Sequence, residues 1–291
     1  MVSPIKNQGS LRKNGLYVTL LTILALCSPV SAKAQSSDMP VFFDGNERLA
    51  KPDLSTVPRL RVLMTVDFPP FSFVDQTGRL SGFHVDLVRD ICAELGIEAK
   101  CQIQAMPFGD LEAALLAGDG EAVAAGITVT PALREKFAFS RPYMTIPARF
   151  AKHRAVVLTG ETGAALDGRP VGVVAGTAHE RMLKAFFPRI RPVSFDTQDA
   201  MLEAVKTRAV DAVFSDALRL PFWVASPASG DCCTLFGGPY LSERFLGEGL
   251  MLMARPNAPQ VVAGFDYALA QLARKGRLQE IYLRYFPNGF Y

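Results

Sequence analysis

Short apolar runs alternate with amphipathic segments twice along this chain, and this alternation constrains its fold more than any other feature. The first occurrence has strand-like runs at 60–66, 101–105 and 122–127 and helical patterns at 85–95 and 109–117; the second has strands at 171–174, 191–195 and 210–214 and helices at 178–187 and 197–206. Strands that alternate with helices predict a parallel sheet covered by helices on both faces. We therefore predict an α/β protein with two such units.

The first 34 residues have the composition of an export signal. Four basic residues and no acidic ones flank the apolar stretch 16–26: Lys6, Arg12, Lys13 and Lys33. Ala32-Lys33-Ala34 matches the small-residue cleavage pattern, so residues 1–34 are predicted to be a removable signal peptide. The apolar stretch is about half the ~20 residues that a bilayer span needs. Leu26 stands where a lipoprotein signal has a small residue before its cysteine, which argues against lipid attachment at Cys27.

Charge and motifs exclude several classes of function. The whole chain has 31 basic and 28 acidic residues. Without the signal peptide it has 27 and 28, a formal charge of −1, and no basic stripe, so no nucleic-acid partner is predicted. Motifs for phosphate loops, nucleophile elbows, dinucleotide binding and zinc are missing, and the three histidines lie far apart in sequence. We expect no catalytic residues, no metal and no cofactor.

Four cysteines remain after cleavage, and an even number in an exported chain favours disulfides. Cys92 lies in the predicted helix and Cys101 opens the next predicted strand, so a helix-to-strand disulfide is geometrically reasonable. Cys232 and Cys233 are adjacent, and they either form a vicinal disulfide or remain two thiols at the end of a loop.

Several candidate binding residues follow predicted strands. Phe68 and Phe108 lie on proline-containing loops at the carboxyl ends of strands, where open α/β sheets bind ligands, although both could equally pack in the core. Thr177 begins a capping box after a strand, and such a helix start can hold an anion, although many βα connections end this way. Asp216 follows another strand, and its carboxylate suits either an ammonium group or a helix N-cap.

Six motifs, taken together in order and spacing, resemble the family 3 periplasmic solute-binding proteins, the amino-acid-binding components of ABC importers. They are Asp67-Phe-Pro-Pro-Phe-Ser-Phe, Gly82-Phe-His-Val-Asp-Leu87, Thr128-Val-Thr-Pro131, Phe139-Ser-Arg-Pro-Tyr143, Val171-Gly-Val-Val-Ala-Gly-Thr177 and Val210-Asp-Ala-Val-Phe-Ser-Asp216. The resemblance covers about residues 59–287.

This resemblance implies two lobes of the type II periplasmic-binding-protein fold, each a mostly parallel sheet flanked by helices, with two hinge crossings between them. The implied organisation is a signal peptide at 1–34, an N-terminal arm at 35–58, lobe 1 at 59–147 plus 250–291 and lobe 2 at 148–249. The arm contains Val41, Phe42 and Phe43, which we expect to hold part of it on the body because three exposed apolar side chains are unfavourable. Many relatives also have a disulfide at the place of Cys92 and Cys101.

The resemblance also implies roles for the candidate residues. Phe68 and Phe108 would sandwich the ligand, Gly126 and Thr128 would contact it from lobe 1, Thr177 and Ala178 would receive its carboxylate, and Asp216 would meet its α-ammonium. Two positions depart from the family pattern. Leu133 stands where the family has its carboxylate-binding arginine, and Arg134 follows one residue later, about 100° further round a helix. Thr65 replaces an acid often found before the first aromatic. Arg134 or Arg149 would then have to compensate, or the solute differs from an ordinary amino acid.

The function predicted from the resemblance is that of a monomeric periplasmic receptor. It would capture an amino acid or related small polar solute and deliver it to the membrane permease of an ABC importer, without chemistry. Two alternatives use the same fold: an accessory protein of a periplasmic quinoprotein dehydrogenase, and a cyclohexadienyl-dehydratase-like enzyme, which would need a positioned carboxylic acid in the cleft.

Overall fold

A computed structural model describes residues 39–40, 42–287 and 289–291 of the chain. The predicted signal peptide, Cys27, Val41 and the first residues of the arm lie outside the described residues. The strands are β1 (Leu60–Met64), β2 (Asp67–Phe68), β3 (Ser72–Val74), β4 (Leu80–Ser81), β5 (Cys101–Ala105), β6 (Ala122–Val123), β7 (Ala138–Phe139), β8 (Ala148–His153), β9 (Pro170–Val174), β10 (Arg191–Phe195), β11 (Ala212–Asp216), β12 (Cys233–Tyr240) and β13 (Met253–Ala254). The helices are α1 (Phe83–Leu95), α2 (Leu111–Ala117), α3 (Pro131–Lys136), α4 (Ala178–Phe186), α5 (Gln198–Lys206), α6 (Arg219–Ala225), α7 (Glu243–Leu246), α8 (Pro259–Arg274) and α9 (Arg277–Tyr285).

The first sheet has the order β5-β1-β6-β13-β7. Its pairs β5–β1 and β1–β6 are parallel, whereas β13 is antiparallel to both of its neighbours. Successive residues of β1 face opposite sides, so Val62 packs with α1, α8 and α9 while Leu63 packs with α2. We call this sheet with its helices the first lobe.

The second sheet has the order β10-β9-β11-β8-β12. Strands β10, β9 and β11 are parallel, and β8 is antiparallel to β11 and to β12. Helix α4 covers one face, on which Phe150 and Phe214 are fully buried, and α5 and α6 cover the other. This second lobe completes the predicted α/β fold of two mostly parallel sheets flanked by helices.

Two crossing segments, at 140–147 and 241–251, connect the lobes and run side by side. Leu250 N–H donates to the Met144 carbonyl at 2.7 Å, and Tyr143 N–H donates to the Leu250 carbonyl at 3.0 Å. Gly249 permits this approach, because a Cβ there would lie 2.7 Å from the Met144 carbonyl oxygen. The crossings are therefore held together by backbone contacts at the point where the lobes join.

The arm packs on the first lobe, as expected from its apolar residues: Phe43 and Leu54 are buried in the core and Phe42 packs against it. The Cys92–Cys101 disulfide joins α1 to β5 across 6.2 Å between Cα atoms, which confirms that pairing. Cys232 and Cys233 also form a disulfide, the vicinal alternative. In the described part of the chain, no helix is long and apolar enough to cross a membrane.

Candidate functional site

A cavity of about 140 Å³ lies where the first lobe meets the crossing segments. Phe68, Gly126 and Thr128, three residues predicted to contact a ligand, line it together. Phe68 follows β1, and Gly126 and Thr128 follow β6. Because these parallel strands end at the same edge of the sheet, the three residues lie close together. Their juxtaposition forms the first half of a candidate binding site.

Phe68 is held in place by its neighbours. Its ring stacks on that of Phe71 with 4.7 Å between centroids and 13° between planes. The same ring covers Gly126, where an added Cβ would lie 2.7 Å from the Phe68 ring. Gly126 thus lets the Phe68 ring approach the backbone that follows β6, and any larger residue there would displace the ring.

A buried polar pair, His84 and Tyr143, lies next to the aromatic rings that hold Phe68 in place. The His84 ring is 4.9 Å from Phe71, and its Nε2 lies 2.7 Å from the Tyr143 hydroxyl at the start of the first crossing. Both side chains are fully buried. Burial lowers the pKa of His84 to about 3, so the imidazole is neutral, and burial also raises the pKa of Tyr143. Aromatic packing and one hydrogen bond therefore connect the cavity to the crossing.

Glu248 is a lining residue that the sequence did not single out. It accepts a hydrogen bond from Arg134 Nη2 at 2.5 Å, and the Arg134 guanidinium lies 5.5 Å from the centre of the Phe139 ring. The hydrogen bond to Glu248 therefore places Arg134 beside the cavity. Leu133 instead packs against the core of the first lobe. The Gly247-Glu248-Gly249 triplet was the available signal, since two glycines so close together are typical of a turn or a close backbone approach.

The second half of the site lies at the carboxyl edge of the second sheet. Thr177 caps α4: its hydroxyl accepts from Glu180 N–H at 3.2 Å and donates to the Val174 carbonyl at 2.7 Å. Glu180 in turn accepts from Gly176 N–H at 2.8 Å, one residue before the N–H of Thr177 that the predicted capping box would use. Hydrogen bonds to Lys184, Ser194 and Gly176 lower the pKa of Glu180 to about 2. The N–H groups of Ala178 and His179 have no intrahelical acceptor and are available to a ligand.

Asp216 ends β11 beside this helix start. One of its carboxylate oxygens accepts from Arg219 N–H at 2.6 Å, so the capping role considered for it is present. Its charge also acts on His179 in the first turn of α4: burial lowers the pKa of that histidine and the Asp216 carboxylate opposes the shift. An acid and free helix N–H groups therefore lie at the same edge of the second lobe.

The structure does not bring every predicted residue together. Phe108 lies on a short 3₁₀ turn, is 52% exposed and does not line the cavity. Thr177, Ala178 and Asp216 also lie outside its lining, on the other lobe. Arg149 is buried on β8, where its Nε donates to the Gly237 carbonyl at 3.2 Å. Thr65 stands where the family often has an acid. It is buried, and its hydroxyl donates a hydrogen bond to Asp67.

Two α/β lobes joined by paired crossings, with an aromatic and an acid on one side and a capped helix start and an acid on the other, define a two-lobed solute-binding protein. The chain belongs to the bacterial extracellular solute-binding proteins, family 3, whose sequence profile matches residues 60–288. This confirms the family inferred from the motifs. It also supports the solute-binding interpretation over the two alternative functions.

Known relatives cover most of the chain. ABC transporter arginine-binding protein 1 of Escherichia coli is 25% identical over 239 residues, which are 80% of this chain and 93% of that protein. The L-arginine-binding protein of Pseudomonas aeruginosa is 26% identical over 246 residues, 84% of this chain and 93% of that protein. The L-cystine solute receptor of Neisseria gonorrhoeae, solved in its unliganded open conformation, aligns with a TM-score of 0.67 at 20% identity, covering 79% of this chain and 92% of that one.

Proposed function

We propose that this protein is a periplasmic receptor that binds an amino acid with a cationic side chain between its lobes and delivers it to the permease of an ABC importer. The observation that carries this proposal is a pair of acids, Glu248 in the lining of the cavity beside Phe68 and Asp216 at the end of β11 beside the start of α4. The lobes would comprise residues 59–147 plus 250–291 and residues 148–249. The receptor would act as a monomer, without chemistry, after removal of residues 1–34.

Charge complementarity favours a cationic amino acid. Glu248, Asp216 and Arg134 together carry one net negative charge, and arginine or lysine carries one net positive charge. In the proposed complex Phe68 covers the side chain, Asp216 meets the α-ammonium and Glu248 meets the side-chain cation. The relatives named as arginine-binding proteins are consistent with this solute class.

Leu133 stands where the family has the arginine that binds the carboxylate of the solute. Other residues of the site would therefore bind that carboxylate. The N–H groups at the start of α4 supply part of the site for a carboxylate. Arg134 supplies the rest when its guanidinium leaves Glu248 for the solute. The exchange leaves Glu248 free to pair with the side-chain cation of the solute.

Calorimetric titration of the purified protein tests the solute class. We expect saturable binding of L-arginine or L-lysine and much weaker binding of L-glutamine and L-glutamate. Glu248→Gln should weaken binding of the cationic amino acid by roughly ten- to a hundredfold, since a hydrogen bond to a charged group contributes about 1.5–3 kcal/mol. Glu135→Gln, which removes an exposed acid next to Arg134, is the matched control and should bind like the wild type.

A preference for neutral or acidic amino acids would overturn the cationic assignment. Equal affinities in the Glu248→Gln and Glu135→Gln variants would remove Glu248 from the site. Turnover of a cyclic carboxylic acid substrate, lost in an Asp216→Asn variant, would instead establish an enzyme.

A further inference from the structure

The hydroxyl of Tyr291 bonds to the first crossing at the place where the two crossings meet. It accepts a hydrogen bond from Thr145 N–H at 3.2 Å and donates one to the Thr145 carbonyl. Both backbone groups of Thr145 are thus bonded to one side chain, as they would otherwise be to a neighbouring strand. The preceding residue, Met144, pairs instead with Leu250 of the second crossing. Two consecutive residues of the first crossing are therefore held, one by the other crossing and one by Tyr291.

Tyr291 is itself anchored in the first lobe. Its ring centroid lies 5.8 Å from that of Tyr282 on α9 and 4.7 Å from that of Phe290. Phe290 is buried, and its N–H donates to the Tyr282 hydroxyl at 2.8 Å. Burial also raises the pKa of Tyr291, so the phenol remains protonated and can donate. A rigid ring therefore connects α9 of the first lobe to the first crossing.

The second lobe touches the same segment through apolar contacts. A small cavity of about 40 Å³ separates the start of α6 from the residues that follow α9. Its lining includes Leu218, Pro221 and Phe222 from the second lobe and Phe286, Pro287 and Phe290 from the first. Apolar contacts have no preferred direction, whereas hydrogen bonds weaken steeply when their angles change. The bonds between Tyr291 and Thr145 are therefore more sensitive to the orientation of the lobes than the contact with α6.

In the arrangement that Tyr291 holds, the candidate solute site is divided. The cavity at Phe68 is lined by the first lobe and the crossings, and Thr177 and Asp216 lie outside it on the second lobe. A solute that contacts both halves requires the lobes to rotate about the crossings. Such a rotation changes the backbone of the crossings, which Tyr291 bonds at Thr145.

We propose that Tyr291 is a positioning residue for solute capture, whose hydroxyl stabilises the arrangement with the divided site and thereby opposes closure of the lobes. This inference rests on the proposed function, because only a solute bound between the lobes requires closure. A receptor that must close before it binds has an apparent affinity reduced by the fraction of closed molecules. Loss of the hydroxyl therefore raises that fraction and tightens solute binding.

Two tyrosine variants test this role by calorimetry. Tyr291→Phe removes the hydroxyl and keeps the ring. Tyr285→Phe is the matched control, since the Tyr285 hydroxyl donates to Asp86 at 2.8 Å within the first lobe. We expect Tyr291→Phe to bind L-arginine roughly tenfold more tightly than the wild type, and Tyr285→Phe to bind it with wild-type affinity. Equal affinities in the two variants, or weaker binding by Tyr291→Phe, would overturn the proposal.

Single-molecule energy transfer without solute gives a measurement that does not depend on the identity of the solute. Dyes attached at Ala113→Cys in α2 and Ala185→Cys in α4, two exposed positions, report the distance between the lobes. A second population at a different distance should be roughly tenfold more frequent in Tyr291→Phe than in Tyr285→Phe. Identical distributions would overturn the role of Tyr291 even if L-arginine binds. A larger second population in a Tyr291→Phe protein that binds no L-arginine would support this role and contradict the proposed solute.

Discussion

At the scale of single residues, Gly126 determines whether the cleft can present an aromatic face. The Phe68 ring lies so close that a Cβ at position 126 would be 2.7 Å and 2.9 Å from two of its atoms. Phe68 cannot move away freely, because its ring also stacks on that of Phe71. The side chain at position 126 is therefore coupled to the orientation of the ring.

Gly126→Ala should displace Phe68 and weaken solute binding. Overpacking of this kind typically costs about 1–3 kcal/mol of folding free energy. We also expect a roughly tenfold loss of solute affinity, since that corresponds to about 1.4 kcal/mol. Urea unfolding and calorimetry measure the two effects. The control is Gly45→Ala, whose added Cβ meets no atom within 4 Å. Wild-type affinity in Gly126→Ala would show that Phe68 does not cover the solute.

His84 should make the protein less stable in mild acid. Burial holds its pKa at about 3 in the folded chain, against an ordinary value of 6.5. Between these values the unfolded chain binds a proton that the folded chain does not, so the free energy of unfolding falls as pH falls. The stabilisation is complete above about pH 6.5, and roughly 1 kcal/mol is lost by about pH 5.5.

Unfolding in urea at a series of pH values measures this loss. His84→Gln removes the titrating group and should flatten the dependence, although the variant is less stable at every pH. His179, whose pKa is also lowered by burial, remains in both proteins, so the difference between them isolates His84. Parallel pH profiles for the two proteins would contradict the assignment.

At the scale of helices and strands, Thr177 has two roles that can be separated. It caps α4 and stands at the candidate site, whereas Thr197 caps α5 in the same way: its hydroxyl accepts from Ala200 N–H at 3.2 Å. Thr177→Ala and Thr197→Ala should each lower the free energy of unfolding by about 1 kcal/mol. Only Thr177→Ala should also weaken solute binding, by roughly tenfold. Equal solute affinities in the two variants would leave Thr177 with a capping role alone.

Much of the fold at this scale could be predicted from the sequence, because periodicity and capping are local. The buried face of α1, the N-cap at Thr177 and the strand 191–195 appear as predicted. The strand predicted at 122–127 is shorter, since β6 ends at Val123 and the chain beyond it turns toward Gly126 and the cavity. An apolar run alone does not show where such a turn begins.

The candidate site could be predicted only in part, because long-range partners decide it. Phe68, Gly126 and Thr128 belong to local motifs, and the structure does bring them together. Glu248 meets Arg134 across 114 residues of sequence, and Arg149 bonds to the Gly237 carbonyl in a strand more than 80 residues away. Neither contact leaves a periodic signal in the sequence.

At the scale of the whole molecule, the two crossings are the segments that connect the two sheets. They touch at Gly249, where an added Cβ would lie 2.7 Å from the Met144 carbonyl oxygen and 3.1 Å from Pro142 and Thr145. These contacts are with backbone and short side chains, which cannot move aside as a long flexible side chain would. A side chain at position 249 would therefore push the crossings apart, and we expect this to change the relation between the lobes.

Gly249→Ala should alter that relation, and Gly160→Ala is the matched control. Gly249 has φ 115° and Gly160 has φ 117°, so both alanines suffer the same backbone strain, of about 1–3 kcal/mol. A Cβ at Gly160, however, meets its nearest neighbour at 3.7 Å. Small-angle scattering with and without solute, together with calorimetry, should show altered dimensions and at least roughly tenfold weaker binding for Gly249→Ala alone. If both variants keep wild-type dimensions and affinity, the contact at Gly249 does not control the lobes. A loss of stability common to both would then reflect strain and nothing more.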